Sequence, residues 1–404
     1  MPASETFDYL IVGAGIVGLT TAWELKRRDP NTRILILEKE PRVGVHASGR
    51  NSGVLHSGIY YGADTLKAKV CATGAARMRE FAAEHGIACE RSGKVIVASS
   101  ANDLITIERL LKNARDNHIR AEKLDADTIR SIEPHAYPYE AGIYSPDTAV
   151  IDSLGVVEKL RDLLTSEGVT LRYGQNLTTV KPDTRLVEVN GARISYGYLF
   201  NCAGASADQV ARPFGVGTQY ALLPFKGLYY KLAPARNYLV KSSIYPVPDI
   251  SLPFLGVHLT RVISGDVYIG PTAIPAFGRE NYGVLSGLHV GESARIAWHL
   301  LQMYVSNRQN FRHLVHTEMS KYLKSNFLKS TQKLVPEVQA ADLLPSNKVG
   351  IRPQLVNIRE RRLEMDFVLE RTTHSLHVLN AISPAFTSSF AFAEIIVDQQ
   401  EAPV

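Results

Sequence analysis

Gly13, Gly15 and Gly18, with Glu38 about 20 residues beyond them, form the set whose residue types and spacing point most directly to chemistry. In such a set the first glycine makes a tight turn, the second lets backbone approach a pyrophosphate, and the third allows close helix packing. The helix they open offers free N–H groups and partial positive charge to phosphates. Glu38, with Lys39 beside it, ends a second apolar run and can accept hydrogen bonds from a ribose diol. An acid there disfavours a 2′-phosphate and hence NADP; FAD and NAD both stay open on this motif alone.

A second set lies in the polar, Gly- and Ser-rich stretch from Val43 to Gly62, which carries Ser48, Arg50, Asn51, Ser52, His56, Tyr60 and Tyr61. It has almost no periodicity, and a long loop inside a compact domain is usually there for function.

These residues need elements to hold them. An apolar run at Tyr9–Val12, a helical pattern from Leu19 to Lys26 and a second run at Ile34–Leu37 make a strand–turn–helix–strand unit. Further patterns predict a helix from Leu66 to about His85, a strand at Lys94–Ala98, helices between Ala101 and Ile132, and a helix at Leu154–Glu167. Strands at Val169–Tyr173 and Tyr198–Cys202, with a hairpin at Asn190–Gly191, follow. Leu222 to Pro271 reads as strand, Gly291 to Val335 as helix, Leu376–Leu379 as strand, and Ala385 to about Gln399 as an apolar helix. The predicted class is α/β and α+β. A Rossmann-like dinucleotide domain is assembled from residues 1–92, 151–220 and 346–404, and a β-rich substrate domain fills 93–150 and 221–345. A fingerprint so near the start, a discontinuous domain and no second fingerprint favour FAD.

The 404 residues, 45% hydrophobic and 21% charged, suffice for two or three cores. A formal charge of +5, dispersed through the chain, suits anionic substrates or an anionic membrane surface and does not indicate nucleic acid. Cys71, Cys89 and Cys202 are widely separated and lack a C-x-x-C pair, which argues against disulfides, zinc or an iron–sulfur cluster. A reducing setting follows, cytoplasmic or peripheral on the inner face of a membrane. No run reaches the roughly 20 apolar residues of a spanning helix, and the acidic Glu5 and Asp8 are the wrong flank for a signal peptide.

The loop Ala47-Ser48-Gly49-Arg50-Asn51-Ser52-Gly53-Val54-Leu55-His56-Ser57-Gly58-Ile59-Tyr60-Tyr61 closely resembles that of the L-2-hydroxyglutarate dehydrogenases and oxidases, a branch of the D-amino-acid-oxidase-like FAD flavoproteins. Other matching stretches are Ser145–Asp152, Phe200–Gly204 with Ala203 and Gly204, Pro224–Gly227, Phe254–Thr260, and Gly350–Gln354. Ala385 departs from the pattern, which has glycine there. The resemblance implies non-covalently held FAD, a small 2-hydroxy acid substrate, and electrons passed to quinone or oxygen. It also implies a helix N-terminus at Thr387 and Ser388 aimed at the flavin C2 carbonyl, where its dipole would stabilise the reduced ring.

Oxidising a 2-hydroxy acid requires a base for the hydroxyl proton, and His56 is the first candidate. Carboxylates call for fixed cations; Arg352 is the leading candidate, followed by Arg50, Lys226 and His258, with Tyr60 as a hydroxyl donor. The competing readings are an amino-acid or glycerol 3-phosphate oxidase and a redox-inert FAD-binding module. The basic stretch from Gly291 to Val335 is either a solvated helical face or a surface for anionic lipid.

Overall fold

The computed structural model describes residues 5–249 and 254–401. The expected strand region from Leu222 to Pro271 therefore includes a few positions outside the described residues. The elements that position the site run in chain order as β1 (Glu5–Val12), α1 (Ile16–Arg28), β2 (Ile34–Leu37), α2 (Leu66–Glu84), β3 (Lys94–Val97), β4 (Thr170–Arg172), β5 (Ala192–Asn201), β6 (Tyr220–Leu232), β7 (His258–Arg261), α3 (Val290–Ser306), β8 (Leu343–Asn357), β9 (Ser375–Asn380) and α4 (Ala385–Glu401).

A parallel core of the first sheet runs β4–β2–β1–β5–β9, so strands from the start, middle and end of the chain lie side by side. Period-2 alternation explains its burial. Ile34 and Ile36 face a core shared with α1, α2 and α4, while Leu35 and Leu37 face a second core with Leu10, Val12 and Val187. β5 is longer than its sequence pattern suggested: its first half pairs with a hairpin partner, Leu186–Val189, and its last residues pair with β9.

The second sheet is built around β6 and β8, which pair antiparallel along most of their length, with Arg352 opposite Phe225 and Gly350 opposite Gly227. β3 and β7 belong to the same sheet. Two of the expected domain bounds fall inside strands. The bound after residue 345 cuts β8, which pairs wholly within the second sheet, and the bound after 150 cuts Ala149–Ile151. Ala149 and Val150 pair with Val54 and Leu55, so that strand pins the polar loop. Among the described residues no helix is long and apolar enough to cross a membrane.

Candidate active site

The parallel strands end at a cavity of about 720 Å³ that runs from Glu38 to Arg352, the crevice where open α/β sheets bind ligands. At one end Gly13 has φ +105°, and a Cβ on it would lie 2.5 Å from Cys202 O; one on Gly18 would lie 2.0 Å from Gly13 O. Only glycine lets α1 start so close to the strand ends. The first turn of α1 holds no acidic side chain, which leaves its positive end open to phosphate.

Glu38 Oε2 accepts from Ala14 N at 2.8 Å and Oε1 from Glu40 N at 2.9 Å. Each oxygen keeps a lone pair for a ribose hydroxyl. Ser48 Oγ accepts from Ile16 N at 2.9 Å, and the Asn51 amide bonds Ser48 O and Gly53 N, both at 2.7 Å. Gly15, Ser52, Ala203 and Gly204 line the same region. Lys39 also lines it but pairs with Glu280 and, at 3.5 Å, with Glu40. Glu40, His46 and Glu280 bring metal-ligating atoms within 4.8 Å of one another, and the Lys39 ammonium, paired with both carboxylates, offsets part of their charge. The open helix terminus, the two glycine close approaches and the Glu38 carboxylate fit a flavin dinucleotide.

The opposite end is cationic. His56 is buried; its amide donates to Thr387 Oγ1 at 3.2 Å, and its Nδ1 has no partner among the described residues. Burial, aided by Lys94, His258 and Arg352, pushes its imidazole down to about 3. His258 bonds Gly256 O through Nδ1 at 2.9 Å, stacks on Tyr245 at 3.8 Å between centroids, and is pushed to about 3 chiefly by burial. Arg352 sits over the Phe254 ring at 5.1 Å, and burial lowers its affinity for its proton. Among the described residues no protein carboxylate pairs with it.

Not every candidate arrives here. Lys226 points away: alternation on β6 sends Gly227 and Tyr229 to the cavity, and the Lys226 ammonium donates instead to Asn281 Oδ1 at 2.9 Å and Gly283 O at 2.8 Å. Ser388 is fully buried, donates to Pro384 O at 2.8 Å and packs on Gly74 rather than lining the cavity. Arg50 lines the cavity but is committed to Val45 O at 2.7 Å and to the Tyr282 ring at 4.2 Å. Tyr60, Gly350, Ala385 and Thr387 do line it, Ala385 standing where glycine was expected.

Sequence reasoning missed Lys67, Lys94, Tyr229 and Tyr245. Lys94 is fully buried on β3, with Nζ unpartnered among the described residues and sealed by the Tyr60 ring at 4.6 Å and the Tyr245 ring at 5.1 Å. Burial lowers it to about 7. A lysine heading the apolar run Lys94-Val95-Ile96-Val97 was the available signal.

The profile of the FAD dependent oxidoreductase family matches residues 8–399. The L-2-hydroxyglutarate dehydrogenase of Indibacter alkaliphilus is 34% identical over 97% of this chain and 98% of its own length. The mitochondrial L-2-hydroxyglutarate dehydrogenase of Nematostella vectensis is 36% identical over 98% and 91%. Among solved structures, the FAD-bound L-alpha-glycerophosphate oxidase of Mycoplasma pneumoniae superposes with a TM-score of 0.78 at 20% identity, covering 99% of this chain and 96% of that one. That likeness establishes the fold. With a family profile spanning nearly the whole chain and relatives above 30% identity end to end, the chain belongs to the FAD-dependent oxidoreductases, in the branch that holds the L-2-hydroxyglutarate dehydrogenases.

Proposed function

We propose that this protein oxidises L-2-hydroxyglutarate to 2-oxoglutarate. The observation that carries the reading is Arg352, half-buried and in no ion pair among the described residues, in the same cavity as the His56 Nδ1 that has no hydrogen-bond partner among them. FAD, when bound, supplies the two-electron acceptor for the hydrogen leaving the α carbon. Arg352 binds the α-carboxylate and fixes the hydroxyl side of the substrate toward His56. His56 is neutral at pH 7 and accepts the hydroxyl proton. The arriving carboxylate also offsets the positive field of Arg352, Lys94 and His258 that holds His56 so weakly basic, so its affinity for a proton rises once substrate is in place. His258 and Tyr60 border the same space.

FAD is held without a covalent bond in this reading, so acid precipitation should release all of the yellow colour. Anaerobic mixing with each enantiomer of 2-hydroxyglutarate tests the substrate. Bleaching of the flavin by the L form alone is expected, whereas bleaching by amino acids or glycerol 3-phosphate instead would replace the substrate, and bleaching by none would leave a redox-inert module.

A membrane quinone is the acceptor this surface favours. α3 buries Ile296, Leu300 and Met303, yet exposes a second apolar stripe of Val290, Ala294, Trp298, Leu301 and Val305 at helical spacing. Residues 284–335 hold seven Lys and Arg against two acids, a net +5 equal to the formal charge of the whole chain. Both acids are engaged, Glu292 by Arg279 and Glu318 by Lys321. An apolar stripe set in uncompensated positive charge matches the interface of an anionic bilayer.

A further inference from the structure

A cation that the mechanism above leaves unused lies in the same cavity. Lys67, at the start of α2, is 5% exposed and lines the cavity together with Arg352, His56 and Tyr61. Among the described residues its ammonium makes no hydrogen bond or ion pair. The carboxylate that acts on it, Asp366, is taken up by backbone: Oδ2 accepts from Leu66 N at 2.6 Å, and Oδ1 from Lys67 N at 3.0 Å and Phe367 N at 2.8 Å. Around the ammonium stand the rings of Tyr61 at 5.6 Å and Phe367 at 5.9 Å.

We propose that Lys67 is the specificity-determining residue of this site, receiving the distal carboxylate of a dicarboxylate whose α-carboxylate lies on Arg352. The inference rests on the 2-hydroxyglutarate reading and deepens it. Two desolvated cations facing one cavity with no ion pair among the described residues, Asp366 and Glu318 acting on them only through space, are costly, and a dianion relieves both at once. A monoanion would satisfy Arg352 and leave Lys67 buried and unpaired, so rejection of monocarboxylates follows from the penalty on the empty partner. Burial, reinforced by Arg352 and opposed by Asp366, lowers Lys67 to about 8, which keeps it largely protonated at neutral pH and responsive to an arriving anion. Lys94 is the less suitable cation for this role because the Tyr60 and Tyr245 rings separate it from the cavity.

The test uses FAD-loaded wild type, Lys67→Met and Lys67→Arg. Steady-state constants are measured for L-2-hydroxyglutarate and for L-2-hydroxyvalerate, in which a methyl group replaces the distal carboxylate. Binding of the unreactive pair glutarate and pentanoate is measured in parallel by thermal shift. Lys67→Met should raise KM for the dicarboxylate on the order of 100-fold, lower KM for the monocarboxylate because no unpaired cation is then left beside it, and abolish the preference for glutarate over pentanoate. Lys67→Arg should restore most of that preference. A glutarate preference that persists in Lys67→Met overturns the assignment, as does its absence from the wild type. Failure of the wild type to oxidise L-2-hydroxyglutarate would instead remove the substrate reading, while the glutarate titration would still judge Lys67.

Discussion

The amide of His56 donates to the hydroxyl of Thr387 at 3.2 Å, across 331 positions of sequence. Thr387 Oγ1 in turn contacts Val54 O at 3.4 Å, so the first turn of α4 holds the polar loop from two sides. The imidazole is therefore placed by backbone, with its Nδ1 left unpartnered among the described residues.

His56→Asn should keep FAD and slow flavin reduction at saturating L-2-hydroxyglutarate by roughly 100-fold or more, the usual contribution of a positioned base. Stopped-flow absorbance reads this directly. A wild-type reduction rate would remove His56 as the base.

Arg352→Met should weaken substrate binding, raising KM on the order of 100-fold with a smaller loss in kcat, because a desolvated charge pair is broken. Arg352→Lys should recover only part of this, since an ammonium lacks the planar fork that grips a carboxylate at two points. Unchanged KM in Arg352→Met would take the residue out of the site.

Gly13→Ala forces a side chain to within 2.5 Å of Cys202 O at φ +105°. The expected product is colourless protein with a lowered Tm. Yellow protein melting at the wild-type temperature would contradict the pyrophosphate turn.

Acid should destabilise the fold through its buried imidazoles. His56 and His258 titrate near 3 when folded and near 6.5 when unfolded. Between those values the unfolded chain binds more protons, so stability falls as pH drops from about 6.5 toward 3, by on the order of a few kcal/mol in total. Tm measured from pH 7 to pH 4 should decline, and less so in His258→Asn; a flat profile in the wild type would count against the burial of both rings.

Replacing Trp298 and Leu301 together by serine should cut co-sedimentation with phosphatidylglycerol vesicles several-fold while leaving turnover with a soluble acceptor intact. Equal sedimentation of variant and wild type would return α3 to the role of a solvated helix.

Much of this is legible in the sequence. Helix and strand positions followed from periodicity because amphipathic patterns report local geometry, and the fingerprint reported a turn that only glycine can make. Lys226 and Arg352 show where that reasoning stops. Both sit on the paired strands β6 and β8, but the face each presents depends on register and twist, and only Arg352 reaches the cavity. Lys67 and Lys69, two positions apart on α2, were equally unremarkable as sequence; tertiary packing buries the first and exposes the second. The bound expected after residue 345 failed for a related reason, since a strand long enough to serve one sheet throughout carries no local mark of which sheet that is.

α4 packs on α1 and α2, and β9 lies beside β5 in the first sheet. During synthesis the partners α1, α2 and β5 leave the ribosome long before the residues that cover them. Their apolar faces must wait through the translation of the second sheet and the α3 region, so the nucleotide-binding half cannot close until β9 and α4 have been made. Chains that stop short of β9 should therefore aggregate rather than accumulate as inactive soluble enzyme.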